Sequence, residues 1–292
     1  MITHFNKKIK KPNRVVILGA GGFVSKALEQ KLRKLKIPFI PFSRKKLDLT
    51  KASSEKKLNN YLKPKDTLIF IAAKAPVKTE EMLIKNLIMC KTVCNVINKK
   101  LPEHLIYISS DAVYSDTSNP LNEKSSTEPT SLHGLMHISR EVMLKNVFKG
   151  PICCLRPTLI YGPEDPHNGY GPNQFLRLAK KNKPINIFGN GEELRDHVWV
   201  EDVAEVIVNV LLNKSSGILN IASGQVLSFK EIAKLAIKST KSLSKIRKIL
   251  RKSPMPHNGY RPFNISLLKK VFPDYTNHKI SNVLNKIKDF YK

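Results

Sequence analysis

The chain has 292 residues, and its 41% hydrophobic content suits one large core or one core with a smaller lobe attached. No apolar stretch is long enough to span a bilayer and the N-terminal sequence lacks the apolar core of a signal peptide, so we expect a cytoplasmic protein without a membrane partner. The 51 lysines and arginines against 23 aspartates and glutamates give a formal charge of +28. Because the lysines are spread over almost every predicted element, we expect no nucleic-acid partner, and nucleic-acid binding stays open as an alternative.

The four cysteines occur as two close pairs, Cys90 with Cys94 and Cys153 with Cys154. Neither pair has a companion at the spacing of a zinc site, and the second pair lies in an apolar run that predicts a buried strand. We therefore expect reduced, buried cysteines and no metal site.

The first predicted unit is a strand, a glycine-rich turn and a helix between Arg14 and Leu28. Glycine permits a sharp turn and the close approach of a phosphate, and the free amides at the start of a helix favour a pyrophosphate. The strict GxGxxG spacing fails at Val24, and the observed spacing is Gly19-x-x-Gly22-x-x-Ser25. Taken alone, this cluster also suits an ordinary tight turn.

A second strand is predicted at Phe39-Ile40-Pro41-Phe42, and Arg44 follows its end. In a dinucleotide-binding fold this position contacts the adenosine ribose, through an acidic residue when the 2′-hydroxyl is free and through an arginine when it is phosphorylated. Arg44 therefore favours NADP over NAD. A solvated basic turn is the alternative, because Lys45 and Lys46 come next.

A continuous apolar run from Thr67 to Ala73 predicts a third strand that is buried on both faces. A helix is expected from about Thr79 to Lys99. It carries Asn86, which suits an exposed helix position as well as a site residue.

Two polar residues, Ser110 and Asp111, follow the next predicted strand, His104 to Ser109. Ligands bind beyond the carboxyl ends of the strands in open parallel sheets, so both are candidate site residues. A turn that these residues merely cap is the alternative.

Several segments, in this order along the chain, resemble the extended short-chain dehydrogenase/reductases of the NAD(P)-dependent epimerase/dehydratase family. The glycine turn is similar to their GxxGxxG turn. The other matching segments are ISSDAVYSD at 108–116, RPTLIYGP at 156–163, GNGEELRDHVWVEDVA at 189–204 and RPFNISLLKK at 261–270. Together the matches run from Arg14 to about Pro273.

The resemblance implies an α/β fold: a Rossmann-type doubly wound parallel sheet with a smaller C-terminal α/β substrate lobe. We expect the dinucleotide-binding domain at 12–165 and mainly the substrate lobe at 166–292, with some segments returning to the Rossmann core. The implied cofactor is NADP or NAD, and the implied substrate is a nucleotide-activated sugar. Hydride exchange at a sugar carbon would serve epimerisation, dehydration or reduction. A homodimer is compatible with this family.

The family's Tyr-x-x-x-Lys element is replaced by His133 and His137, which still share one helix face. Imidazole exchanges protons near neutrality, so His133 is a candidate acid or base, and His137 is a candidate partner of the nicotinamide ribose. A neutral imidazole supplies no fixed positive charge, so we expect a shifted reaction or slower hydride chemistry. The alternatives are a zinc pair without an evident third ligand, a catalytically silent NAD(P)-binding sensor, and two incidental histidines.

The remaining site residues are implied by the resemblance. Ser110 would hold the reacting oxygen, and Asp111 is a substitute acid or base. Arg195 and Arg261 would contact a diphosphate, with an ion pair from Arg195 to Asp196 or Asp202 as the alternative. Asn173 is a candidate for sugar or phosphate contact. The implied cofactor contacts are Gly19, Gly22, Phe23, Val24, Arg44, Asp48, Leu49, Ala72, Ala73, Lys74 and Pro157.

Overall fold

The structure is a computed structural model that describes residues 2–291. The strands, in chain order, are β1 (Thr3–His4), β2 (Arg14–Leu18), β3 (Phe39–Phe42), β4 (Asp66–Phe70), β5 (His104–Ile108), β6 (Ile152–Pro157), β7 (Leu159–Tyr161), β8 (Ile185–Phe188), β9 (Leu194–Trp199), β10 (Ser215–Ile221), β11 (Val226–Ser228), β12 (Ile246–Ile249) and β13 (Tyr260–Arg261). The helices are α1 (Phe23–Lys34), α2 (Ser53–Tyr61), α3 (Glu80–Lys99), α4 (Leu132–Val147), α5 (Pro172–Lys180), α6 (Val200–Leu212), α7 (Phe229–Thr240), α8 (Ser266–Val271) and α9 (Ile280–Ile287).

The chain divides into two units by its internal contacts. The first unit comprises the segment up to Ser115 together with Glu123–Pro157 and Val203–Ile221. The second comprises Asp116–Asn122, Thr158–Asp202 and the segment from Ala222 onward. The domain boundary expected between residues 165 and 166 stays a prediction.

A seven-stranded sheet forms the core of the first unit, in the order β1-β10-β6-β5-β4-β2-β3. All neighbouring strands in it are parallel except β1, which pairs antiparallel with β10. The strand order reverses between β2 and β4, so the sheet is doubly wound with its switch point there. This arrangement confirms the predicted Rossmann-type fold.

The inner residues of β2 and β4 are apolar because both faces of the sheet are covered. Val15 to Leu18 of β2 are at most 1% exposed, and Leu68 to Phe70 of β4 are fully buried. The four cysteines are unbonded and also buried. No helix within residues 2–291 combines the length and the apolarity that a bilayer-crossing segment requires.

The second unit is built from two small sheets and several helices. In one sheet β9 pairs with β11, β13 and β7, and in the other β8 pairs with β12. Helix α7 begins with a capping box, in which Ser228 and Glu231 satisfy each other's backbone amides.

The third predicted strand is shorter than its apolar run. The amides of Ile71 and Ala72 both donate to the carbonyl oxygen of Leu18, at 2.9 and 2.8 Å. Two donors on one acceptor turn the backbone out of the regular ladder, so β4 ends at Phe70 and the residues that follow form a loop.

Candidate functional site

The glycine turn after β2 lies at the switch point of the sheet. Gly19 has a φ of +104°, and a Cβ on it would lie 2.6 Å from the backbone nitrogen of Ala72. Gly21 also has a positive φ, of +81°. These conformations and this close approach require glycine. The turn therefore brings the start of α1 next to the loop that follows β4.

The start of helix α1 has the features of an anion site. Its N-cap is Gly22, with no side-chain cap, and its first turn contains no acidic residue. The first amides of a helix have no partner within the helix, and the helix dipole favours negative charge there. The described residues of this turn thus fit the pyrophosphate of a dinucleotide. Phe23 and Val24, both half-buried, form the first turn.

Ser25 stands where the related turn has its last glycine. Its side chain is fully buried, and its Oγ donates to the carbonyl oxygen of Gly22 at 3.0 Å. The hydroxyl is therefore satisfied within the turn, and the small side chain is accommodated at the start of the helix.

Arg44 is exposed at the end of β3, with 77% of its side chain accessible. Its Nε lies 3.5 Å from the carboxylate of Asp48. That carboxylate also accepts hydrogen bonds from the amide and hydroxyl of Thr50, and these bonds hold the pKa of Asp48 below its usual value. Leu49 is buried. The arrangement fixes the loop and leaves the guanidinium accessible to a ligand.

The loop after β4, which contains Ala72, Ala73 and Lys74, is held by a buried asparagine. Asn86 on α3 accepts from the amide of Lys74 and donates to its carbonyl oxygen, both at 3.0 Å. Asn86 is fully buried, so the expectation of an exposed helix position is wrong. Its amide instead fixes the backbone of the candidate cofactor loop.

Ser110 and Asp111 follow β5 and form a short capped turn. The Ser110 hydroxyl accepts from the amide of Ala112 at 3.1 Å and lies 3.3 Å from the Asp111 carboxylate. Both side chains are half-buried. The capping contact is present, and the catalytic roles of the two residues stay predictions.

His133 and His137 lie on one face of α4, as their spacing predicts. Their ring centroids are 4.8 Å apart, with the planes at 89°. Nδ1 of His137 is 2.8 Å from the hydroxyl of Tyr107, and His137 is 6% exposed. Burial, followed by the charges of His133 and Arg140, lowers the pKa of His137 well below its usual value. We therefore expect His137 to be neutral at pH 7.

His133 is more accessible than His137. The amide of Val77 points at its Nδ1 from 3.5 Å, and Asp111 lies near enough to act on its charge. Burial lowers the pKa of His133, and the Asp111 charge raises it in part. No three His, Cys, Asp or Glu side chains of residues 2–291 are grouped to hold a metal ion.

A buried ion pair lies next to this site and was missed in the sequence. Arg156 donates to both oxygens of Glu141, at 2.8 and 2.7 Å, and Ser109 donates to one of them at 2.7 Å. Pro157, a candidate cofactor contact, directly follows Arg156 at the end of β6 and is buried. Glu141 and Arg140 are charged residues on the otherwise apolar face of a predicted helix, and this position was the signal in the sequence that could have indicated their burial.

Arg195 lies on β9 in the second unit and is 4% exposed. Its guanidinium is 2.7 Å from Glu193, and it also bonds the carbonyl oxygens of Leu194 and Pro256. An ion pair of Arg195, the alternative to a diphosphate contact, is therefore present, and its partner is Glu193. Asp196 accepts instead from Ser223, Gly224 and Thr158, and Asp202 pairs with His278.

Arg261 and Asn173 are also buried in the second unit. Arg261 lies 2.8 Å from Asp116 and 3.1 Å from the ring of His257. The side-chain oxygen of Asn173 accepts from the Gly162 amide and the Tyr291 hydroxyl. Asn173 thus holds its own loop together, and a substrate contact by it stays a prediction.

Comparison with known proteins gives one family and one fold. The family model described as the NAD dependent epimerase/dehydratase family matches residues 15–222. UDP-glucose 4-epimerase from Thermotoga maritima with UDP-glucose has a TM-score of 0.83 at 18% identity, with 95% of this chain and 98% of that chain covered. RMD from Pseudomonas aeruginosa complexed with NADPH also has a TM-score of 0.83 at 18% identity, with 96% of this chain and 98% of that chain covered. UDP-glucose 4-epimerase from Thermus thermophilus with NAD has a TM-score of 0.79 at 19% identity, with 95% of this chain and 98% of that chain covered.

Proposed function

Because the chain belongs to the NAD dependent epimerase/dehydratase family, we propose that it is an NAD(P)-dependent enzyme that acts on a nucleotide-activated sugar. The reaction class is epimerisation, dehydration or reduction at a sugar carbon. Structural neighbours crystallised with UDP-glucose, NADPH or NAD support this choice of substrate and cofactor.

The observation that carries the proposal is the position of His133. Its ring contacts the segment after β4 through Val77 and lies near Asp111, which follows β5. Both segments leave the carboxyl ends of central parallel strands, where open α/β sheets bind their ligands. An imidazole at this place suits proton exchange with a bound substrate.

The glycine turn and α1 are proposed to hold the pyrophosphate through the backbone at Gly19, Gly22, Phe23 and Val24. When bound, the nicotinamide ring supplies hydride exchange at the sugar carbon. The exposed guanidinium of Arg44 is proposed to favour a 2′-phosphate and hence NADP. The other proposed cofactor contacts are Asp48 and Leu49 toward adenine, and Ala72, Ala73, Lys74 and Pro157 toward the nicotinamide half.

His133 is proposed to move the proton of the reacting sugar oxygen. An amide that points at Nδ1 favours the neutral tautomer with its proton on Nε2, so Nε2 is the atom that donates and later accepts. Asp111 favours the charged imidazolium during transfer, because its negative charge raises the pKa of His133. Ser110 is proposed to orient the reacting oxygen, and His137 to contact the nicotinamide ribose through Nε2.

Arg195 and Arg261 are proposed to bind the substrate diphosphate. Each is paired with one carboxylate, Glu193 and Asp116 respectively. A guanidinium has five N–H donors in a planar fork, so a carboxylate and a phosphate can share it. The carboxylates then set the orientation of the two guanidinium groups.

Cofactor binding and turnover test this function separately. NADH and NADPH are titrated into the purified protein, and a panel of nucleotide sugars is then assayed with the cofactor that binds. We expect His133→Phe to lower kcat by about 10²–10⁴-fold while the dinucleotide Kd stays within about twofold. Ser139→Ala, on the same helix, is the matched control.

Three results would contradict the proposal. Product formation by His133→Phe at the wild-type rate removes the proton-transfer role. Binding of a dinucleotide without turnover of any nucleotide sugar supports a silent NAD(P)-binding protein. A protein that binds no dinucleotide is not an enzyme of this class.

A further inference from the structure

Arg140 is a fully buried cation on α4, one helical turn after His137. Its Nε and one terminal nitrogen donate to the carbonyl oxygen of Asn86, at 3.0 and 2.7 Å, and that nitrogen also donates to the Asn86 side chain at 2.9 Å. Its other terminal nitrogen donates to the carbonyl oxygen of Ala72 at 2.9 Å. The guanidinium also stacks 4.8 Å from the ring centroid of Phe70. Every one of these acceptors is neutral.

The neutral surroundings distinguish Arg140 from the other buried arginines. Arg156 is paired with Glu141, Arg195 with Glu193 and Arg261 with Asp116. Among residues 2–291, no carboxylate forms a hydrogen bond or an ion pair with Arg140. A buried charge without a counter-ion is costly, even when its donors are satisfied.

The location of this charge suggests its counter-ion. Ala72, whose carbonyl oxygen Arg140 holds, is the residue whose backbone approaches Gly19 at the glycine turn. Asn86, the other acceptor, fixes the backbone of Lys74. Arg140 thus ties α4, α3 and the loop after β4 together, and that loop lies against the glycine turn that precedes α1.

The helix that carries the two histidines has no other buried cation in its first three turns. Burial lowers the pKa of both imidazoles, whereas a guanidinium stays charged at every accessible pH. Arg140 therefore places a permanent positive charge near His137.

We propose that Arg140 is a positioning residue that holds the cofactor loop against α3 and supplies the fixed positive charge for which a bound anionic dinucleotide is the counter-ion. This inference rests on the proposed function. The ligand class follows from the charge and the turn: a nucleotide with a pyrophosphate, which carries negative charge to the start of α1. A bound dinucleotide then lowers the free-energy cost of burying the Arg140 charge.

Three variants separate the charge from the packing. Arg140→Met removes the charge and keeps most of the length, and Arg140→Lys keeps the charge with fewer hydrogen bonds. Arg33→Met removes an exposed charge from α1, where the Arg33 side chain is 60% exposed, and serves as the matched control. Kd values for NADH and NADPH are measured at about 0.1 and 0.5 M salt, with circular dichroism and thermal unfolding of each variant.

We expect Arg140→Met to weaken dinucleotide binding by about tenfold or more and Arg140→Lys to stay within about threefold of wild type. The loss in Arg140→Met should persist at 0.5 M salt, because a buried charge is screened little, while Arg33→Met stays near wild type at both salt concentrations. If Arg140→Met does not fold, Arg140→Gln replaces it, since its amide keeps two donors without the charge.

The inference is overturned if the neutral variant binds dinucleotide as tightly as wild type. The counter-ion role is overturned if Arg140→Lys is as weak as Arg140→Met, because the effect then comes from the hydrogen bonds that hold the loop and not from the charge. A wild-type protein that binds no dinucleotide overturns the proposed function together with this inference. A wild-type protein that binds while the neutral variant is unimpaired overturns this inference alone.

Discussion

Nδ1 of His137 and the hydroxyl of Tyr107 lie 2.8 Å apart in the interior of the first unit, where both side chains are shielded from water. Burial raises the pKa of Tyr107 and lowers that of His137, so each favours its neutral form. A neutral phenol and a neutral imidazole share one hydrogen bond in this pair, and the tautomer of His137 decides which of them donates. The contact ties α4 to β5.

Tyr107→Phe removes this hydrogen-bond partner and leaves a buried imidazole nitrogen unpaired. We expect a loss of about 1–3 kcal/mol in the free energy of unfolding, measured by urea denaturation at pH 7. Tyr61→Phe, at a tyrosine that is 45% exposed, is the control and should change stability by less than about 0.5 kcal/mol. Equal stability of the two variants would show that the Tyr107 bond contributes nothing.

Glu141→Gln is expected to lower the free energy of unfolding more than Tyr107→Phe does, because it leaves Arg156 charged and buried. Arg156 is 2% exposed and Glu141 is fully buried, and breaking such a pair from one side typically costs about 3–5 kcal/mol. Lys145→Met removes a half-exposed partner of the same carboxylate and should cost less than about 1 kcal/mol. Urea unfolding measures the loss of unfolding free energy in both variants. A smaller loss in Glu141→Gln than in Lys145→Met would contradict this prediction.

The stability of the protein should fall as the solution is acidified. His104 is buried on β5, with its Nε2 2.8 Å from the carbonyl oxygen of Ser215, and burial lowers its pKa from 6.5 to about 4. Below pH 6.5 the unfolded chain therefore binds more protons than the folded one. Stability that is present above pH 6.5 is lost as the pH falls toward 4, by about 3 kcal/mol for this group.

His104→Gln keeps a donor at the same place and removes the titration. We expect the decrease in unfolding free energy between about pH 7 and pH 4 to be smaller in this variant than in wild type by about 2–3 kcal/mol. Thr92→Val is the control, because it removes a buried hydrogen bond to Leu49 but no titrating group. An unchanged acid dependence in His104→Gln would contradict the assignment.

Gly134→Ala should disturb the site directly. A Cβ at this helix position would overlap the carbonyl oxygen of Ala112 and lie 2.6 Å from Cβ of Pro129. The helix must then move away from the Ser110–Asp111 turn, at a cost of about 1–3 kcal/mol. Ser139→Ala on the same helix should be neutral or slightly stabilising, because alanine is the best helix former. Thermal unfolding of both variants measures the difference.

Arg44→Ala tests the proposed preference for NADP. The ratio of NADPH to NADH affinity should fall by about tenfold, because the guanidinium is the proposed partner of the 2′-phosphate. Lys45→Ala removes a neighbouring exposed charge and should leave the ratio within about twofold of wild type. A constant ratio in Arg44→Ala would assign this turn to the solvated surface.

The Rossmann-type sheet was predicted from the resemblance of several segments to one family, whereas periodicity and glycine placement predicted individual strands and the first turn. The apolar runs at β2 and β4 and the turn at Gly19 each follow from local chain properties. The shared face of His133 and His137 follows from helical spacing alone. These features depend on short stretches of sequence, so they could be predicted without knowledge of the tertiary contacts.

Partner choice could not be predicted in the same way. Neighbouring residues of a strand point to opposite faces, so Arg195 turns away from Asp196 and meets Glu193, two positions earlier. Asn86 and Arg140 look like surface residues of amphipathic helices, yet both are buried because α3 and α4 pack against the loop after β4. Tertiary packing decides these contacts, and the roles assigned to the site residues stay predictions.

The buried guanidinium of Arg140 also has a consequence for relatives of this chain. If one fixed cation serves this helix, a relative with lysine at the position of His137 has no need of arginine at the position of Arg140. Residues 137 and 140 should therefore change together among homologous sequences, and a chain that has both cations or neither should be rare.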